Sequence, residues 1–292
     1  MIDMGSNWRI FSGNCDTYKV DYLAATRKVD SYFQETCRAA ELVHEKNPGR
    51  IHICYSGGLD SEFILRIFLR LRIPVTPVIL KTQYNAHDII YATQFCDAKN
   101  LKYTLLELDF DKFVQSGKLL EICVDAKTGP GNAVLLWLYT QIDGSVLTGE
   151  GDQILFRNKD NPQWYIYEDE NDTRIIDFRR KHNIEGPPQF QSSYTCEQTL
   201  SYLLDPVVVD LVNNRIPGKL SNVSSKARIY SNSSGFNFQV RPKFHGFEKT
   251  QQSEIWQHPD IQYAISMEDK WNGNYAIPYE QAVAKLNLHQ HN

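Results

Sequence analysis

Residues 51–61 constrain this chain more than any other stretch. Ile51-His52-Ile53-Cys54-Tyr55 reads as a short buried strand and Ser56-Gly57-Gly58 as a tight turn. From Asp60 onward, Phe63, Ile64, Ile67, Phe68 and Leu71 fall at helical spacing. A strand that passes through two glycines into a helix makes a site for an anion. Gly57 and Gly58 let backbone N–H groups approach phosphate oxygens, Ser56 and Ser61 add hydroxyl donors, and the helix that starts near Asp60 adds its positive end. Asp60 is a poor neighbour for bare phosphates and makes chemical sense if Mg²⁺ lies between them, because that ion takes carboxylate and phosphate oxygens together. The bland alternative is a glycine turn with Ser and Asp as helix caps; the strand before and the helix after favour the phosphate loop. It is not the other common phosphate loop, since it has neither GKS/GKT nor the G-x-x-x-x-G spacing.

The same alternation continues along the chain. Residues 74–80 and 103–108 read as strands, with a helix at 87–99 between them. Helices are expected at 111–124 and 132–142, and a fourth strand at 144–147 leads into Thr148-Gly149-Glu150-Gly151-Asp152. Strands alternating with helices of this length imply parallel strands joined by crossovers, hence an α/β layered fold. Ligands in such sheets sit beyond the carboxyl ends of the strands, where Ser56–Ser61 and Glu150–Asp152 both fall. Ahead of this core, 16–46 is expected to be one amphipathic helix that ends near Asn47-Pro48-Gly49. Behind it, 157–172 is polar and aromatic and suits a loop or hairpin. Its Trp164, Tyr165 and Tyr167 either cover a substrate or pack on the core, with packing favoured. Helices are expected at 174–183 and 197–214, followed by a Ser/Asn-rich segment at 221–235. This gives an N-terminal helical extension at 1–49, a core at 50–156, and a C-terminal region at 157–292 that is mostly helical with loops and completes the substrate site.

Composition excludes several classes. A formal charge of −4 with no long basic run makes nucleic acid an unexpected partner. No stretch approaches the roughly 18 apolar residues of a membrane span, and the N-terminus lacks the pattern of a secretory signal, so a cytoplasmic protein is expected. Cys15, Cys37, Cys54, Cys96, Cys123 and Cys196 lie far apart without a CxxC or a Cys/His cluster at metal spacing, and read as reduced thiols.

The SGGLDS loop resembles that of the ATP pyrophosphatases, a group that includes asparagine synthetase, β-lactam synthetase, GMP synthetase, NAD synthetase and tRNA-thiolating enzymes. The resemblance implies a HUP-like nucleotide α-hydrolase fold, a three-layer α/β/α sandwich with a parallel sheet, and attack on the α-phosphorus of ATP with pyrophosphate leaving. Leu147–Phe156 is similar to the GEGxDELF segment of the asparagine synthetase and β-lactam synthetase branch, with one residue missing between Gly151 and Asp152 and Gln153 where an acid is usual. By that resemblance Asp60 and Asp152 hold Mg²⁺, Glu150 lies near the acyl substrate, and Gly149 belongs to the nucleotide site. Leu80 and Lys81 are candidates for the adenine pocket and Tyr55 for its floor; for Leu80 and Tyr55 a core role weighs as much. Gly129-Pro130-Gly131-Asn132 opens a helix and either helps bind an anion or simply caps it. A late lysine stabilises pyrophosphate in this branch; Lys243 is the first candidate, with Arg241 or Lys249 second.

The resemblance implies an AMP-forming ligase that uses ATP and Mg²⁺, a small-molecule acceptor and an amine or ammonia. Residue 2 is Ile where the glutaminase domain of asparagine synthetase carries its cysteine nucleophile, so ammonia is expected from solution or from a separate supplying protein. Two alternatives stay open: a nucleobase- or tRNA-modifying enzyme, which a basic groove would favour, and a nucleotide-binding module without turnover, against which the pair Asp60 and Asp152 argues.

Overall fold

A computed structural model describes residues 8–151, 153–157, 161–187, 189–213, 223–238 and 247–287. Lys243 and Arg241, and the carboxylate expected at Asp152, lie outside the described residues.

The chain opens with a hairpin, β1 (Arg9–Ser12) and β2 (Lys19–Tyr22), before helix α1 (Tyr32–Lys46). The single helix expected over 16–46 is thus shorter. Val20 and Tyr22 are buried while Lys19 and Asp21 between them are exposed, a period of two that suits a strand. The helix begins where Ser31 and Gln34 form a reciprocal capping box.

The core then alternates: β3 (Ile51–Cys54), α2 (Leu59–Arg70), β4 (Thr76–Thr82), α3 (Ala86–Ala98), β5 (Thr104–Leu108), α4 (Phe110–Gln115), α5 (Lys118–Ala126), α6 (Pro130–Thr140) and β6 (Ser145–Leu147). The helix expected over 111–124 is two, broken at Ser116-Gly117, where Gly117 takes φ +75°. The four strands are parallel in the order β5-β4-β3-β6. The chain therefore leaves β3 toward β4 and β5 and returns to its other edge with β6, which puts the reversal of strand order between β3 and β6.

The sheet is covered on both faces. Ile51 and Ile53 of β3 and Ile79 of β4 pack with Ala39 and Val43 of α1, Phe63 of α2 and Phe95 of α3. The alternate residues Cys54, Val78 and Val146 meet Phe113 of α4, Ile122 of α5 and Val134 of α6. This is an α/β fold of three layers, helices on each side of a parallel sheet.

The rest of the chain supplies β7 (Ile154–Arg157), β8 (Trp164–Asp169), α7 (Asn171–Lys181), α8 (Cys196–Leu203), α9 (Pro206–Asn213), α10 (Val223–Ser234), the short α11 (Glu248–Gln251), α12 (Pro259–Trp271), β9 (Asn274–Pro278) and α13 (Tyr279–Leu286). β7, β8 and β9 form an antiparallel sheet. Trp164 and Ile166 of β8 are buried in the larger apolar cluster, so that face of the strand packs on the core. Tyr165 stacks on Phe156, and Tyr167 donates its phenol hydrogen to Asn274. Expected as one helix, 197–214 divides around Asp205-Pro206, where Asp205 accepts from the N–H of Val207 at 2.9 Å. No helix among the described residues is long and apolar enough to cross a membrane.

Candidate active site

The 56–61 loop leaves β3 at the carboxyl edge of the sheet. Tyr55 is buried and its N–H donates to Val78 O at 2.8 Å, which ties the start of the loop to β4. Its ring meets Phe95 edge-on, a core contact. Gly57 has φ +74°, and a Cβ there would stand 2.7 Å from the Ala92 backbone nitrogen. Only glycine meets both demands, the left-handed backbone and the close approach of α3. Gly58 caps α2 without a side-chain bond. The Ser56 and Ser61 hydroxyls lie 3.3 Å apart, with Ser61 donating to Gly58 O at 3.1 Å and Ser56 Oγ accepting from the Gly58 N–H at 3.3 Å. Leu59 is partly buried against the apolar cluster and anchors the first turn of α2.

The second motif closes directly on the first. A Cβ on Gly149 would lie 2.8 Å from the backbone nitrogen of Ser61. The segment that follows β6 therefore rests on the phosphate loop, backbone to backbone, at the point where strand order reverses. Residues 189–193 hold that segment: Glu150 O accepts from the N–H groups of Phe190 and Gln191 at 3.1 Å each, and Gly151 O accepts from the Ser192 hydroxyl at 2.9 Å. On its side chain, Glu150 Oε2 lies 3.5 Å from the Tyr139 hydroxyl. Behind Tyr139 stands a fully buried guanidinium, Arg179, 5.1 Å from the ring centroid, with its Nη2 2.8–2.9 Å from the carbonyl oxygens of Val146, Glu185 and Gly186. Burial lowers the Arg179 pKa from its ordinary value.

Asp60 does something the sequence did not reveal. Its Oδ1 accepts from the Tyr230 hydroxyl at 2.6 Å and its Oδ2 lies 3.1 Å from Lys226 Nζ. Both partners come from α10, inside the Ser/Asn-rich segment. Tyr230 is fixed by stacking on Phe63 of α2, centroids 4.4 Å apart and planes 9° from parallel. Lys226 is thereby set beside the 56–61 loop. The only sequence signal for it is a lysine four residues before a buried tyrosine on an otherwise unremarked helix.

Other expected residues are placed differently. The Lys81 ammonium meets Glu107 at 2.7 Å on the exposed face of β4 and β5. Leu80 packs on the second apolar cluster, and its carbonyl accepts from Asn85 at 2.9 Å. The first turn of α6 already has an anion: a Cβ on Gly129 would fall 2.4 Å from the carboxylate oxygens of Glu268, on α12. The anion at this helix end is thus the protein's own, and capping is the reading that stands. Burial holds the Glu268 carboxyl above its ordinary value. All six cysteines are free, and burial pushes the thiols of Cys54, Cys123 and Cys196 up to about 12 and that of Cys96 to about 11. Such thiols stay protonated at neutral pH and are poor nucleophiles.

Each Asp60 oxygen accepts one bond from an α10 side chain, so a metal at Asp60 would share the carboxylate with Lys226 and Tyr230. The group whose ligand atoms lie within 4.8 Å of one another is His87, Asp88 and Glu248, from the start of α3 and of α11. A nitrogen with two carboxylates suits first-row transition ions more than Mg²⁺, which prefers oxygen throughout.

No family model matches the chain, and no curated protein matches it. Among solved structures it is similar to an NMN synthetase from Francisella tularensis, at 14% identity and TM-score 0.32 over 73% of this chain and 98% of that one. An NH3-dependent NAD synthetase from Campylobacter jejuni overlaps at 16% identity and TM-score 0.29, over 72% and 99%. A "predicted subunit of tRNA methyltransferase" from Methanocaldococcus jannaschii overlaps at 20% identity and TM-score 0.30, over 50% and 69%. Overlaps this loose assign no activity; the fold stands on the strand order and the two cores described above.

Proposed function

We propose that this protein is an AMP-forming, ATP-dependent ligase of the asparagine synthetase type. A carboxylate or carbonyl oxygen of a small acceptor attacks the α-phosphorus, the bond from that phosphorus to the bridging oxygen breaks, and pyrophosphate leaves with the electron pair. An amine or ammonia then attacks the activated carbon and AMP departs. The observation that carries the reading is the contact of Gly149 with the Ser61 backbone, which joins the SGGLDS loop to the TGEG segment at the reversal of strand order.

In this reading Gly57, Gly58 and the first turn of α2 cradle the phosphates, with Ser56 and Ser61 as hydroxyl donors. Lys226, oriented by Asp60, meets the charge that grows on the departing pyrophosphate. Glu150, steadied by Tyr139, faces the acceptor. The backbone at Leu80–Lys81 remains the proposed edge of the adenine site, without the Lys81 ammonium. Mg²⁺ is expected with ATP, and Asp60, shared with Lys226 and Tyr230, is the described residue that would help hold it. A polyanionic substrate such as tRNA is disfavoured by the carboxylates gathered past Glu150.

The test is the product of ATP incubated with Mg²⁺ and pooled small carboxylates and amines. AMP and pyrophosphate that depend on one pool, and that vanish in Lys226→Ala, support the reading. ADP and phosphate, or saturable ATP binding with no turnover in any pool, overturn it.

A further inference from the structure

Past Glu150 a cavity of about 180 Å³ opens between Glu150, Gly151, Gln153 and Ile154, β8 and the start of α7. Among the described residues that line it, one guanidinium, Arg9, stands against four carboxylates, Glu150, Glu168, Asp169 and Asp172. Arg9 is already shared: it donates to Glu168 at 3.1 Å and to Asp172 at 3.2 Å, and a third bond goes to Gln189. Burial raises the Glu168 pKa, although Arg9 opposes it. Burial raises Asp169 as well, and even with both of these neutral, Glu150 and Asp172 stand against one guanidinium.

That lining selects by charge. Carboxylates are acceptors only, so a ligand that satisfies them must bring N–H donors, and positive charge is favoured over none. An anion would meet repulsion in a partly desolvated site, where charges are screened least. The pocket is too small for a nucleotide. Its wall is also continuous with the phosphate loop, because Glu150 follows the glycine that rests on Ser61.

We infer that this pocket binds a compact cation carrying a primary ammonium or guanidinium group, as the amine-bearing substrate of the ligation. Its role as substrate rests on the function proposed above; its binding does not. Putrescine, agmatine, lysine and glutarate are titrated calorimetrically into the full-length protein at constant ionic strength, with ATP binding measured separately. At least one amine should bind about tenfold tighter than glutarate. Asp169→Asn, which keeps the oxygen that accepts from the Asn171 N–H, should weaken that amine by about tenfold and leave ATP binding unmoved. AMP formed with lysine alone marks the ammonium as the far end of the activated carboxylate; AMP that needs putrescine plus a separate carboxylate marks it as the nucleophile. Glutarate binding as well as the amines, no amine binding at about 10 mM, or amine affinity indifferent to both Asp169→Asn and Asp172→Asn overturns the inference. Amine binding in a protein that ignores ATP keeps the pocket and sinks the ligase, whereas ATP binding without amine binding does the reverse.

Discussion

The two halves of the site are built in opposite ways. The proposed phosphate loop is six consecutive residues between one strand and one helix, and in that reading it acts through backbone N–H groups and the hydroxyls of Ser56 and Ser61. The pocket beyond Glu150 is gathered from β1, the turn after β6, β8 and α7, and it works through side-chain charge. Local construction makes the loop's backbone path depend chiefly on its own glycines, with Gly57 the position where a Cβ would clash. Construction from distant segments makes the pocket sensitive to single charges and open to change of specificity without loss of the fold.

Substitutions can break or sharpen that contrast. The largest loss should come from Lys226→Ala, the long-range cation on the nucleotide side: about 10²–10³-fold in kcat for AMP release, with a smaller change in ATP affinity, read by single-turnover pyrophosphate release. If ATP affinity falls as far as kcat, Lys226 binds the ground state and the assignment to the leaving group fails. Gly149→Ala should follow, because its Cβ must push the Ser61 backbone away; a displacement of that kind costs about a hundredfold in AMP formation, with a melting temperature close to wild type. Activity unaffected by this change would mean the two motifs do not act together. Glu150→Gln should raise the acceptor KM about tenfold while ATP binding stays as it was, which separates the pocket from the loop in one titration.

The smallest effect is one of stability with pH. Burial raises the Asp169 carboxyl above its ordinary 3.8, the N–H of Asn171 opposes this, and Asp172, Glu170 and Asp269 add to it. A raised folded-state value favours the protonated form, so this group's contribution is full below the unfolded value and is lost as pH rises through the folded one. Asp169→Asn, uncharged throughout, should therefore match wild type near about pH 3 and exceed it at neutral pH by less than about 1 kcal/mol. Thermal melts at both pH values decide this, and a gain at the acid end only would mean the carboxylate is stabilised by folding. Glu35 supplies the opposite sign: burial pushes it up, but Arg27, the Asp30 N–H and Arg38 outweigh that and hold it below its ordinary value.

Much of the core was legible because it is local. The strand at Ile51–Cys54, the turn at Gly57-Gly58 and the apolar spacing of Phe63, Ile64 and Ile67 are patterns of neighbours in the chain, and each appears where the sequence places it. The misjudged elements had two periods in competition. Residues 16–31 carry apolar groups at intervals compatible with a helix, yet Val20 and Tyr22 bury as a strand because β1 is there to pair with them. At Gly129 the sequence offered an open helix end and could not show Glu268, well over a hundred residues away, lying on it.

By itself, then, the sequence determined the alternation of strand and helix, the parallel sheet, and a turn at Gly57-Gly58, where Gly57 can take the left-handed backbone that a side chain would oppose. Only the tertiary structure decided which cation stands beside Asp60, that Lys81 turns to Glu107, and that Arg9 and four carboxylates share one cavity. The physical reason is the range of the interactions. Backbone preference and apolar period act within about one or two turns. Charge selects partners by distance in space, which the folded chain alone establishes.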